Sequence, residues 1–118
     1  MQQVRVDSGR PAVPHEARYY YILAYLSEKE GRWEDAIRYY KEALNLDPSS
    51  IYLKTQLSYM LLRTAKVSEA ISIAEDVVKA DPGYIPALLL LGELYNSQKK
   101  TEKAVEIYER ILRADPEH

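Results

Sequence analysis

The feature that most constrains this chain is a sequence pattern that returns at a fixed interval of 34 residues. An alanine, a leucine and the proline of an Asp-Pro pair each recur at this interval. The three series are Ala36, Ala70 and Ala104; Leu23, Leu57 and Leu91; and Pro48, Pro82 and Pro116. A repeat of this length marks stacked supersecondary units that are each too small to bury their own apolar face. The sequence therefore predicts three consecutive copies, 17–50, 51–84 and 85–118.

The copies share a pattern of aromatic, apolar and small residues that is most complete in the first. That copy carries Tyr20, Leu23, Ala24, Gly31, Ala36, Tyr40, Ala43 and Pro48. The third copy keeps Leu88, Leu91, Gly92, Tyr95, Ala104, Tyr108 and Pro116. By these residues, 17–118 resembles a tandem array of tetratricopeptide repeats, which are helix–turn–helix units of this period. The resemblance implies an all-α, right-handed α-solenoid, with the first helix of each repeat (the A helix) on the concave side and the second (the B helix) outside.

The second copy departs most from the pattern. Lys54 stands where a large apolar or aromatic residue is usual, and Ala74 replaces the ring of the other two copies. Ala65 and Lys99 replace the turn glycine, Gly31, where the family usually requires a positive φ. We therefore expect both non-glycine residues to be left-handed at a cost in stability.

Start and stop signals divide each copy into two helices. Pro14 suits a first turn, either Ser49 or Ser50 can cap the third helix, and Thr101 suits a cap of the sixth. The aspartate of each Asp-Pro pair ends a helix. The predicted helices are 14–29, 33–45, 51–63, 68–79, 86–97 and 101–113. Residues 1–16 form a flexible N-terminal segment and the start of the first helix, because two prolines at Pro11 and Pro14 interrupt any helical period.

Composition excludes several classes of function. A formal net charge of −2 gives no basic field for nucleic acid, and the absence of cysteine rules out thiolate chemistry. His15 and His118 lie at opposite ends with no matching ligand set, so we predict neither a metal nor a cofactor. No glycine-rich phosphate loop or nucleophile motif is present, and no enzyme activity is expected within this chain.

The charged fraction of 29% and hydrophobic fraction of 47% indicate a soluble globular protein. The longest apolar run, Ile85 to Leu91, is too short for a membrane span, and no segment has the length of a secretion signal. Cytoplasm and periplasm both remain open as compartments.

A second stripe on the A helices is the candidate binding face. By resemblance, these side chains line the concave groove in which tetratricopeptide domains hold peptides or helices. The candidate residues are Tyr21, Tyr25, Glu28, Tyr52, Thr55, Tyr59, Leu62, Leu89, Glu93 and Asn96. Tyrosine suits a binding face because it offers a large apolar body with little side-chain entropy to lose. The alternative is that these rings pack against neighbouring repeats or the N-terminal segment.

One specialisation of the family is not expected here. Members that hold the acidic C-terminal tails of heat-shock chaperones use a clamp of Lys, Asn and Arg side chains. The matching places in this sequence are Tyr21, Tyr25, Gln56, Pro86 and Leu90, of which only Gln56 could donate to a carboxylate. The sequence therefore argues against a chaperone-tail partner.

The leading hypothesis is thus a non-catalytic protein–protein interaction module whose partner is a peptide or helix. A structural or self-assembling fragment of a longer solenoid is the alternative, and an accessory segment of an enzyme would require a catalytic domain elsewhere. Apolar residues of the last helix pair should leave an exposed edge. We expect a homodimer through this third-repeat edge, by a two-fold contact. The edge residues are Leu91, Tyr95, Val105, Tyr108, Ile111 and Leu112.

Overall fold

A computed structural model describes residues 14–118, which form six α-helices and no strand. The helices are α1 (His15–Lys29), α2 (Trp33–Leu46), α3 (Ile51–Arg63), α4 (Val67–Ala80), α5 (Ile85–Ser97) and α6 (Thr101–Ala114). The all-α prediction is confirmed, and the helix bounds agree with the expected ones to within one residue. The predicted flexible segment falls mostly on residues 1–13, which lie outside the described part of the chain. None of the six helices has the length and hydropathy needed to cross a bilayer.

The helices pack in chain order as three antiparallel pairs. Helix α1 pairs with α2, α3 with α4 and α5 with α6, while α2 against α3 and α4 against α5 join one pair to the next. Helix α3 also contacts α5 directly, and no comparable contact joins α2 to α4 or α4 to α6. Helices α3 and α5 therefore lie closer together than the B helices do, and the contact between Tyr21 and Tyr52 joins α1 to α3. The three A helices form the inner face of the stack.

Local signals explain most of the helix ends. The Ser50 hydroxyl oxygen accepts a hydrogen bond from the backbone N–H of Leu53 at 3.1 Å, as expected for a cap. The aspartate of each Asp-Pro pair has a backbone conformation outside the helical region, with φ near −140° at Asp81. The prediction that Thr101 caps α6 is wrong. Thr101 is the first helical residue, and Lys100 holds the cap position with no side-chain hydrogen bond.

Small side chains set the distance between the two helices of a pair. Ala24 and Ser58 are fully buried, and the Ser58 hydroxyl donates to the Ala70 carbonyl across the α3–α4 contact at 2.7 Å. At the equivalent place in the third pair, a Cβ on Gly92 would lie only 2.6 Å from the Tyr108 ring. A larger residue at these positions would push the helices apart and open the core.

All three A helices end in the same left-handed turn. The φ angles are +74° at Gly31, +62° at Ala65 and +60° at Lys99. In each turn the next backbone N–H donates back to the helix, for example from Lys66 to Leu61 at 2.8 Å, which is a Schellman arrangement. The expectation that Ala65 and Lys99 are left-handed is therefore confirmed.

This geometry predicts that Ala65→Gly stabilises the chain. An alanine in the left-handed conformation costs about 1–2 kcal/mol, and glycine avoids this cost. The greater entropy of glycine in the unfolded chain offsets only about 0.5–1 kcal/mol of that gain. We expect the free energy of unfolding to rise by up to about 1 kcal/mol, measured by urea denaturation. The matched control is Gly31→Ala, which should lower it by a similar amount. A lower unfolding free energy for Ala65→Gly would contradict the account of the turn.

Candidate functional site

The predicted binding residues lie on the inner A helices, and most of them keep exposed surface. The exposed members are Tyr25, Tyr52, Glu93 and Asn96, and the half-buried members are Tyr21, Glu28, Tyr59, Leu62 and Leu89. Together the three helices therefore present a continuous candidate face, which we call the inner groove.

Thr55 differs from the rest of the predicted set. Its side chain is only 2% exposed, and its hydroxyl donates to the Ile51 carbonyl one turn earlier at 2.7 Å. Helix α3 is the middle A helix, packed by α2 on one side and by α4 and α5 on the other. Less of its circumference is consequently free, and Thr55 presents no side chain to a partner.

Three tyrosines form a connected surface at the first two repeats. The Tyr21 ring centroid lies 6.4 Å from that of Tyr25 and 5.8 Å from that of Tyr52, with an edge-on approach to Tyr52. The hydroxyl oxygens of Tyr21 and Tyr52 are 3.1 Å apart, within hydrogen-bond distance. This geometry matches the arrangement that aromatic rings prefer. We refer to Tyr21, Tyr25 and Tyr52 as the tyrosine cluster.

The tyrosine cluster rests on a buried ring from the outer helix α2. Tyr40 is fully buried, its centroid is 6.4 Å from that of Tyr21, and its hydroxyl donates to the Glu28 carboxylate at 2.8 Å. Burial raises the pKa of Tyr40 well above its usual range, and the Glu28 carboxylate adds to the shift. Glu28 therefore has a structural role as the acceptor for a core hydroxyl as well as a place in the groove.

The groove becomes more polar towards the third repeat. Tyr59 and Leu89 are half-buried and pack against the core, whereas Glu93 and Asn96 are exposed. Burial raises the pKa of Tyr59, and the nearby Glu93 carboxylate contributes to the shift. A bound segment would therefore meet aromatic surface at one end and polar surface at the other.

The charge of the groove is negative. The candidate set contains two carboxylates, Glu28 and Glu93, and no lysine or arginine. At the places of the chaperone-tail clamp, Leu90 is fully buried and Pro86 carries no donor. The clamp positions of the inner face therefore hold no cation. The cations near the tyrosine cluster are Arg18 and Lys29, whose ammonium lies 5.1 Å from the Tyr25 ring centroid.

A small pocket lies beside the tyrosine cluster, between α1 and the start of α3. It has a volume of about 220 Å³ and is lined by Tyr21, Tyr52, Ala17, Arg18, Asp47, Ser50 and Leu53. Its walls are mostly apolar, with Arg18 as the cation at the rim. The pocket could receive one side chain of a bound segment, which sequence reasoning did not anticipate because it depends on how α1 meets the α2–α3 loop.

A second pocket, of about 370 Å³, lies between α4, α5 and α6. There the Tyr95 hydroxyl donates to Glu75 at 2.5 Å, and the Lys103 ammonium lies 5.5 Å from the Tyr95 ring centroid. Burial and the Glu75 carboxylate raise the pKa of Tyr95 to about 12. One repeat earlier, Lys41 and Glu69 occupy the positions of Glu75 and Lys103, with the charges exchanged. They form an ion pair at 3.3 Å. This contact joins neighbouring repeats, so we assign the second pocket to packing.

Metal ligation has no candidate in the described region. Among residues 14–118, no group of three or more His, Asp or Glu side chains is close enough to hold an ion.

Comparison with known families agrees with the repeat geometry. Two family models, both described as tetratricopeptide repeat, match residues 17–50 and 61–118. The chain therefore belongs to the tetratricopeptide repeat family. A comparison with curated proteins found no match.

Solved structures of the family superpose closely on the chain. The first tetratricopeptide domain of Spaghetti (RPAP3), bound to the HSP90 peptide SRMEEVD, is 25% identical with a TM-score of 0.81, covering 86% of this chain and 81% of that one. The first such domain of human RPAP3 is 27% identical with a TM-score of 0.81, covering 89% and 83%. MamA from Desulfovibrio magneticus RS-1 is 22% identical with a TM-score of 0.85, covering 89% of this chain and 59% of that one, and this likeness shows the fold.

The hydroxyl contact in the tyrosine cluster gives a pH prediction. The hydrogen bond between the Tyr52 and Tyr21 hydroxyls, followed by burial, raises the pKa of Tyr52 to about 12. Tyr21→Phe removes that partner, so the pKa of Tyr52 should fall towards its ordinary value of 10.0. The measurement is an NMR titration of the ring carbon that carries the hydroxyl, in protein with isotope-labelled tyrosine.

The stability that this contact contributes should depend on pH in one direction. Because the folded pKa is above the unfolded one, the contribution is fully present below pH 10.0 and is lost as pH rises through about 12. Tyr19→Phe, on the outer side of α1, is the matched control and should leave the pKa of Tyr52 unchanged. An unshifted Tyr52 in Tyr21→Phe would show that the two hydroxyls are not bonded in solution.

Proposed function

We propose that the chain is a non-catalytic protein-interaction module that binds a peptide segment or helix of another protein along the inner groove. The observation that carries the proposal is the tyrosine cluster: interconnected rings on the inner face, of which Tyr25 and Tyr52 are exposed and Tyr21 is half-buried. The tetratricopeptide domain of Spaghetti, with its bound peptide, supports the same use of the fold.

The cluster has the physical properties of a binding surface. Tyr21 is held by contacts to Tyr25, Tyr40 and Tyr52, so its ring is already ordered before a partner arrives. Preorganised rings bury apolar area with little further loss of conformational entropy, which is why tyrosine is enriched among residues that dominate binding energy. Hydroxyl groups at the ring edges can also pair with the backbone of an extended peptide.

The groove chemistry favours an apolar or aromatic segment without acidic side chains. Glu28 and Glu93 would repel a carboxylate, and the groove has no clamp cation to offset this repulsion. A partner with an aromatic residue at the tyrosine cluster and a lysine or arginine near Glu93 would match both features. The peptide SRMEEVD, which occupies the Spaghetti domain, does not match them.

The test begins with selection of peptides from a random display library against the purified chain, followed by calorimetry on the best synthetic peptide. Tyr25→Ala and Tyr59→Ala should each weaken its binding by about 1–3 kcal/mol. Circular dichroism should show nearly unchanged helicity for Tyr25→Ala, because that ring is exposed. The core variant Leu57→Ala should instead lose stability.

Two controls make the result specific. Tyr19 is also an exposed tyrosine of α1, but it lies on the side of the helix that faces away from the tyrosine cluster. Tyr19→Ala should therefore leave peptide affinity unchanged. The peptide SRMEEVD should show no measurable binding. The proposal fails if Tyr25→Ala binds the selected peptide as tightly as the unmodified chain does, or if Tyr19→Ala weakens it equally.

A further inference from the structure

The two ends of the helix stack each expose an apolar stripe that the inner groove does not use. On α6, Val105, Tyr108 and Leu112 are between 40% and 52% exposed. On α1, Tyr19, Ile22 and Leu26 are between 51% and 57% exposed. In both helices the spacing is i, i+3, i+7, which places the three side chains on one side. We call these stripes the C-terminal face and the N-terminal face.

The C-terminal face corresponds to surface that is covered elsewhere in the chain. Counting back by the repeat of 34 residues, its members match Ile71, Ala74 and Val78 of α4. Those three are no more than 9% exposed, because α5 of the next repeat packs against α4. In α6 the same positions remain open because no further A helix follows in the described structure.

The N-terminal face corresponds to the other half of the same contact. Counting forward by two repeats, its members match Ala87, Leu90 and Leu94 of α5, which are all fully buried against the preceding repeat. These are the residues that an A helix turns towards the B helix before it. The N-terminal and C-terminal faces are thus the two complementary halves of one repeat-to-repeat interface, carried on opposite ends of one molecule.

We propose that the C-terminal face of one molecule docks on the N-terminal face of a second copy, head to tail, and continues the helical stack across the junction. The occupant is a second copy because this chain carries both halves of an interface that it already forms twice internally, at α2–α3 and α4–α5. Each half leaves apolar surface in water when alone, and such a stripe on an end unit drives association.

Charged residues at the edge of the interface form one attractive pair and one repulsive pair across the junction. Within the chain, the Lys66 ammonium lies 3.1 Å from the Glu34 carboxylate of the preceding repeat. The equivalent residues across the junction are Arg32 of one copy and Glu102 of the other, which also have opposite charges. The residues equivalent to Lys41 and Glu69 across the junction are Glu109 of one copy and Asp35 of the other, which repel each other. Apolar burial therefore drives the contact, while the charges are mixed.

The proposed head-to-tail docking differs from the two-fold contact expected from the sequence. Of the predicted edge, Leu91, Tyr95 and Ile111 are buried within the third repeat, so the exposed part is narrower than expected. A two-fold contact between C-terminal faces would also leave the N-terminal face uncovered. A heterologous contact covers both, and because it does not close on itself it generates a growing series instead of a dimer.

The experiment measures weight-average mass by sedimentation as the concentration of the full chain is raised from micromolar to millimolar. The unmodified chain should pass beyond the mass of a dimer. Ile22→Lys, which blocks the N-terminal face, and Leu112→Lys, which blocks the C-terminal face, should each stay near the monomer mass of 13.6 kDa. Ser72→Lys, at an exposed position of α4, is the matched control and should associate as the unmodified chain does.

Mixing the two blocked variants is the decisive step. Ile22→Lys keeps its C-terminal face and Leu112→Lys keeps its N-terminal face, so the mixture should form a one-to-one dimer and nothing larger. An Ile22→Lys chain that dimerises by itself would show a two-fold contact and overturn the proposal, as would an unmodified chain that stays monomeric throughout. Circular dichroism confirms that both variants are folded. Peptide affinity in the inner groove is a separate readout, so failure here leaves the proposed function untouched.

Discussion

Each helix pair of this chain has one apolar side that it cannot cover by itself, and the next pair covers it. Ile71 and Val78 of α4 and Leu90 and Leu94 of α5 are all buried, and α4 packs against α5. Contacts between neighbouring pairs consequently join the buried residues of all three pairs into one continuous core. This arrangement explains why the A helices gather on one side, why the turns between helices are identical, and why the end units differ from the middle one.

The repeat interval and the residues at helix ends are enough to predict the architecture. They gave the helix bounds, the Ser50 cap and the left-handed conformations of Ala65 and Lys99, because each follows from backbone chemistry within a few residues. Thr101 was wrongly predicted to cap α6. Threonine is a good capping residue, but Thr101 lies one position inside the helix. A sequence pattern does not resolve a shift of one residue.

The candidate face was predictable as a stripe but not as a set of contacts. Periodicity treats the three A helices as equivalent, yet Thr55 is buried because α3 has neighbours on both sides, whereas Tyr21, at the equivalent position of the end helix α1, is half-buried. The hydroxyl contacts of Tyr21 with Tyr52 and of Tyr40 with Glu28 depend on side-chain conformations that spacing does not encode. For the same reason, Tyr95 was expected at an open edge but is turned inward towards Glu75.

The contact between the Tyr21 and Tyr52 hydroxyls also has a consequence for motion. Among residues 14–118, no helix covers the N-terminal side of α1, and in a stacked array the end unit frays before the middle does. Tyr21 ties that helix to α3, and a ligand lying across both rings would strengthen the tie. If a partner occupies the proposed groove, amide hydrogen exchange in α1 should therefore slow, because the same contacts would hold the looser end of the array closed.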